Sequence, residues 1–176
     1  MSGFTYAQTG ATSQLLRTAE AGHRHGPALP AGYRHLRYRT ALRPGTFDRA
    51  GRAVLTWRMH RAVGARVAAS APRADPGVQV TVSLGVGPLR MTAPCAVVWA
   101  TDTADRAGFA YGTLDGHPAS GEEAFLVERA GDRVWFSVVA FSRPVAPAMR
   151  LAGPVAVVAQ HLYAWRLGVA LRRLTR

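Results

Sequence analysis

After Gly64 the chain changes its period. From Arg66 to Phe141 the apolar residues fall at alternate positions in six short segments: Arg66–Ser70, Val78–Leu84, Leu89–Thr101, Ala107–Leu114, Glu122–Glu128 and Arg133–Phe141. A period of two places alternate side chains on opposite faces of a strand. The breaks between segments are turn formers: Asp75-Pro76-Gly77, Gly87-Pro88, Asp102-Thr103, Asp115-Gly116 and Ala130-Gly131-Asp132. Connections this short cannot carry a parallel crossover, so the segments form an antiparallel meander. Six consecutive strands must bury one face, and another element has to cover it.

The flanking segments supply the rest. Between Tyr33 and Leu42 the apolar Leu36, Tyr38 and Leu42 alternate with His35, Arg37 and Arg39, which predicts one more half-buried strand. Thr46 is placed as an N-cap, with Asp48 in the first turn where its charge suits the helix dipole. Phe47, Ala50, Val54 and Trp57 then step by three and four, predicting one helix to about Val63, ended by Gly64. Near the C-terminus Leu151, Val155, Val158, Leu162, Trp165 and Val169 step by four and three. They predict a closing helix at about Val155–Arg173 with that stripe turned to the sheet. Residues 1–30, rich in Gly, Thr, Ser, Ala and Pro, read as a partly ordered arm, and residues 31–176 as a single domain. The expected class is α+β: a curved antiparallel sheet of about seven strands with one shorter helix and a long C-terminal helix.

That order resembles the helix-grip fold of the START and polyketide-cyclase-like (SRPBCC) superfamily, which is also the fold of the major birch pollen allergen. The words of the sequence resemble more closely a family of uncharacterised bacterial and plant proteins, the "domain of unknown function nineteen-ninety" group. The stretches that carry this are Phe4-Thr5-Tyr6 with Gly10-Ala11-Thr12, Leu29-Pro30-Ala31-Gly32-Tyr33 and Leu55-Thr56-Trp57-Arg58-Met59-His60. They continue through Leu89 to Cys95, Phe109 to Leu114, Gly116 to Phe125 and Phe141 to Pro144. The resemblance implies a fold with a cavity between sheet and helix; the family brings no activity with it. The stretch between Gly10 and Leu29 is longer here than in the family pattern.

The net charge of +12 comes from 22 basic residues, and all of them are arginine. They are spread along the chain without a dense run, so specific nucleic-acid binding is not expected, although charge alone would give a weak, salt-sensitive attraction to polyanions. The one cysteine, Cys95, lies among apolar residues and has no disulfide partner, which points to a reducing cytoplasm. The most apolar stretch, Leu151 to Trp165, is interrupted by Gln160 and His161 and is too short to span a bilayer.

The candidate chemistry clusters at the Tyr111–Glu123 hairpin. His117 titrates near neutrality and could act as a general acid or base, oriented by Asp115 or Glu122. Glu122 and Glu123 point to opposite faces of a strand, so at most one enters a cavity, where a partner such as Arg143 would be needed. Trp57 and His60, three apart on the first helix, form a second candidate. Trp135, Phe141, Tyr163 and Trp165, with Tyr111, could line a cavity for a flat apolar ligand. His23 and His25 are too little for a metal site, and no cofactor is expected, since Gly85-Val86-Gly87-Pro88 lacks the third glycine of a dinucleotide fingerprint.

Three functions are compatible with these residues. The first is a protein that binds a small apolar or aromatic ligand. The second is a cofactor-independent enzyme of the cyclase, dehydratase or isomerase kind, using His117, Glu122, Glu123, Tyr111 and His60. The third is a basic module for nucleic acid or a membrane surface.

Overall fold

The computed structural model describes residues 3–14, 16, 28–85, 90–147, 151 and 153–176. His23, His25 and the Gly87-Pro88 turn lie outside the described residues. Seven strands, β1 (Arg34–Leu42), β2 (Arg66–Ala69), β3 (Gln79–Leu84), β4 (Met91–Asp102), β5 (Arg106–Thr113), β6 (Ala119–Ala130) and β7 (Arg133–Pro144), form one antiparallel sheet in the order β1-β7-β6-β5-β4-β3-β2. The six-segment meander is therefore present, with β1 folded back beside β7 in the register Arg34↔Ser142 to Leu42↔Val134. A bulge at Val98 shifts the β4–β5 register between Val97 and Trp99, the kind of irregularity that bends a strand.

One face of the sheet grips the helices. Phe109, Phe125, Phe136 and Val138 meet α1 (Phe47–Leu55), α2 (Arg58–Ala62) and the long α3 (Gly153–Leu174) in one core. Each fully buried large side chain there contributes roughly 1.5–3 kcal/mol by leaving water.

The single first helix expected from Phe47 to Val63 is two. It breaks at Thr56 and Trp57, and Trp57 adopts a left-handed backbone with φ 65°. The indole is fully buried, donates Nε1–H to Ala71 O at 3.2 Å and meets Phe109 edge-on, so packing holds a conformation that an aromatic residue rarely adopts. Thr46 sits at the N-cap position, but its hydroxyl donates to Arg43 O at 2.6 Å rather than capping the helix; Asp48 is in the first turn.

The stripe assigned to the buried side of the closing helix faces outward instead. Leu151, Val155, Val158, Leu162 and Trp165 are all exposed, from 89% at Leu151 to 50% at Trp165, and Val169 is half-buried. The buried side is the smaller set Ala156, Ala164, Leu167, Ala170 and Leu171. Small residues let the helix approach β1 closely: a Cβ on Gly168 would collide with the Tyr38 hydroxyl.

The opposite face of the sheet is covered by the N-terminal residues. Thr5 N–H donates to Thr113 O at 3.1 Å, and Ser120 Oγ–H donates to Thr5 O at 2.9 Å. Tyr6 packs edge-on against Phe141. Gly112 makes this possible, because any Cβ there would strike the Tyr6 hydroxyl and the Phe4 ring.

Candidate functional site

Between the sheet and α3 lies a cavity of about 470 Å³. Its walls are largely apolar, from Val82, Leu84, Ala93, Ala140 and Ala156, and its mouth includes the exposed Met91, Leu162 and Arg166. Among the polar side chains that line it, Tyr111, Glu123 and Tyr163 come from three different elements. Tyr111 on β5 stands opposite Glu123 on β6 in the strand register, and its hydroxyl donates to Glu123 Oε2 at 3.0 Å. Tyr163 comes from α3, and its buried hydroxyl has no hydrogen-bond partner among the described residues.

Burial sets the electrostatics of this cluster. It pushes the Glu123 carboxyl up to about 7, although the Tyr111 hydrogen bond favours the ionised form. Burial, and then the nearby Glu123 charge, raise both the Tyr111 and the Tyr163 phenols. The ion pairs among the described residues are Arg39–Glu128 and Arg73–Asp102, so Glu123 has no cationic partner there. A carboxyl held in an apolar cavity without a counter-charge keeps its proton near neutral pH, or gives it up when a ligand supplies compensation.

The two adjacent glutamates do point apart. Glu122 borders the cavity, yet its carboxylate is taken up by the N-terminal residues on the other face. Oε2 accepts from the Tyr6 hydroxyl at 2.8 Å and from Gly10 N–H at 2.7 Å. Oε1 accepts from Thr12 N–H at 2.9 Å and from the Thr12 hydroxyl, which also receives Trp99 Nε1–H at 2.9 Å. Arg143, the partner expected from the sequence, is exposed and lies over the Tyr33 ring. Glu122 is thus a structural anchor. Sequence reasoning missed Tyr6 and Thr12 as its partners, although both fall in the N-terminal words that carried the family resemblance.

The other expected site residues divide. His117 lines the cavity, but Asp115 does not orient it: the His117 Nδ1 lies 2.8 Å from Ala119 O and 3.0 Å from Ala119 N, and burial lowers the His117 pKa against the opposing effect of that backbone contact. Asp115 is exposed and outside the lining. Phe141 borders the cavity, while its ring packs edge-on against Tyr6 and Tyr33. Trp135 lies under the Arg39 guanidinium at 4.5 Å, away from the cavity, and Trp165 belongs to the exposed stripe.

Trp57 and His60 are core residues. His60 is fully buried between Phe125, Phe109 and Tyr111, both ring nitrogens lack partners among the described residues, and desolvation pushes its pKa down to about 3. Replacing both unsatisfied nitrogens by carbon removes their desolvation cost, so His60→Leu is expected to raise stability in urea by about 1 kcal/mol at pH 6. Between pH 6.5 and about 3 the unfolded chain takes up a proton that the folded His60 refuses. Wild-type stability should therefore fall as pH drops through that window, and the variant should lack this part of the slope. A destabilised variant with the wild-type slope would contradict the assignment.

Seven antiparallel strands gripping a long terminal helix around a cavity define a helix-grip protein. Residues 5–170 match the family described as Domain of unknown function (DUF1990), and the chain belongs to that family. A UPF0548 protein of Deinococcus radiodurans is 51% identical over 65 residues, which cover 36% of this chain and 33% of that protein, about a third of the relative's length. Among solved structures, the hypothetical protein jhp0584 of Helicobacter pylori superposes with a TM-score of 0.68 at 12% identity, over 100% of this chain and 98% of that one. The major latex-like protein 151 of Panax ginseng gives 0.60 at 12% identity, over 81% and 97%. At such identities these likenesses describe the fold.

Among the described residues no group of three or more His, Cys, Asp or Glu side chains is placed to hold a metal ion. No helix among them is long and apolar enough to cross a membrane.

Proposed function

We propose that this protein binds one small apolar or aromatic ligand in the cavity, with a single polar group of the ligand set against Glu123 and Tyr163. The observation that supports this most is the pairing of an apolar cavity of about 470 Å³ with a buried Tyr163 hydroxyl that has no partner among the described residues and a carboxyl whose hydrogen bond among them comes from Tyr111. The volume falls in the range of small-molecule sites, and the apolar walls would supply the affinity while the polar cluster fixes orientation. The test is thermal unfolding against a panel of apolar aromatic compounds. A cavity ligand should raise the melting temperature saturably. Ala140→Phe, which projects a ring into the cavity, should abolish that shift. A shift that survives Ala140→Phe, or no shift with any compound, would overturn the reading.

A second reading is favoured by the Glu123 carboxyl at about 7 with Tyr111 at 3.0 Å. An acid poised near neutrality can take a proton from a bound ligand and return it elsewhere, as a cofactor-independent cyclase, dehydratase or isomerase requires. Of the five residues named for that chemistry, Tyr111, Glu123 and His117 contribute to the cavity, and Glu122 and His60 are engaged elsewhere. Deuterium exchange from solvent into a bound ligand, lost in Glu123→Gln while binding persists, would identify this activity.

A further inference from the structure

We propose that the outward face of α3 docks on an anionic lipid surface, with the mouth of the cavity turned toward the bilayer. Leu151, Val155, Val158, Leu162 and Trp165 make one apolar line along the helix that no described residue covers, ending in an aromatic residue suited to a membrane interface. A contiguous apolar line on a soluble fold marks a surface that is covered in use.

Charge selects what covers it. From Arg133 to Arg176 the chain has no acidic residue and carries Arg133, Arg143, Arg150, Arg166, Arg172, Arg173 and Arg176. Arg166 and Arg173 are exposed on the same helix as the apolar line. A second copy of the chain would satisfy the apolar residues but bring two cationic helices together, which electrostatics opposes. Nucleic acid would satisfy the arginines and leave the apolar line in water. A bilayer with anionic headgroups accommodates both, since apolar side chains enter the acyl boundary while arginines meet phosphates.

The cavity adds a geometric reason. Leu162 belongs both to the exposed line and to the cavity lining, and Arg166 and the exposed Met91 stand at the same mouth. Docking through this face would let an apolar ligand pass between bilayer and cavity without crossing water. That last consequence rests on the ligand-binding reading; the docking itself does not.

The test is co-sedimentation of the full chain with vesicles of phosphatidylcholine alone and with about 30 mol% phosphatidylglycerol, at about 150 mM salt, where long-range surface attraction is already screened beyond about 8 Å. Binding to the anionic vesicles and not to the neutral ones is expected. Val155→Ser/Val158→Ser removes apolar surface without changing charge and leaves the cavity lining untouched. It should weaken binding by at least about tenfold, given the loss of two apolar side chains from a buried contact. The same variant should keep the wild-type ligand-induced melting shift, which separates failure of docking from failure of the cavity reading. Equal vesicle binding by the variant would reduce the effect to charge alone and overturn the proposal. So would a wild-type dimer in sedimentation equilibrium that ignores vesicles and that the serines dissociate, since a second copy would then occupy the face.

Discussion

Glu122→Ala is expected to release residues 4–13 from the sheet and to lower stability by about 3 kcal/mol at pH 7. The carboxylate takes hydrogen bonds from the Tyr6 hydroxyl, Gly10 N–H, Thr12 N–H and the Thr12 hydroxyl, so its loss leaves several donors without an acceptor under the covering segment. Each buried donor left unpaired costs about 1–3 kcal/mol, and detachment of the segment into water limits the sum. Urea unfolding measures the loss, and amide exchange at Gly10 and Thr12 shows whether the segment has come away. Glu122→Gln, which keeps one acceptor oxygen, should fall between wild type and alanine. A loss below about 1 kcal/mol with both amides still protected would show that packing of Phe4 and Tyr6, rather than the carboxylate, holds the segment.

Glu123→Gln should have the opposite sign. The folded carboxyl titrates at about 7 against a usual 4.5, because burial disfavours its charge. Between those values the folded chain binds more protons than the unfolded one, so wild-type stability falls as pH rises from about 4.5 to about 7. Glutamine cannot ionise and can still accept from Tyr111. The variant should match wild type at pH 4 and exceed it at pH 8 by on the order of 3 kcal/mol, the energy of moving a titration from 4.5 to about 7. Melting temperatures of the two proteins across that pH range decide the matter. Parallel curves at every pH would mean that Glu123 is solvated well enough to ionise normally, and the polar end of the cavity would then need another account.

Much of the architecture could be read from local periodicity, and the failures share one physical cause. Alternation and turn chemistry located the strands after Gly64, because a half-buried strand advertises its inner face residue by residue. The break at Trp57 was hidden because Phe47, Ala50, Val54 and Trp57 keep helical spacing across it, while the left-handed turn is imposed by the Trp57–Phe109 contact. On α3 the larger Leu, Val and Trp residues carried the stronger periodic signal, but the helix seats on Ala156, Ala164, Leu167 and Leu171. Close approach to β1 at Tyr38 selects small residues, which a hydrophobicity pattern undervalues. Parity showed that Glu122 and Glu123 must diverge and could not say which enters the cavity. Their partners, Tyr6 at 116 positions from Glu122 and α3 beyond the sheet, are set by tertiary structure.

The pairing of β1 with β7 also governs how the chain must be made. Arg34 meets Ser142 and Leu42 meets Val134, so β1 has its sheet neighbour far along the chain, beyond five other strands. The N-terminal segment likewise waits for Glu122. Until then the nascent chain holds an unpaired strand and an uncovered sheet face, and ordering them requires closure of a very long loop. Closing β1 onto β7 is therefore a late step of folding, with β1 as the segment most in need of protection on the way.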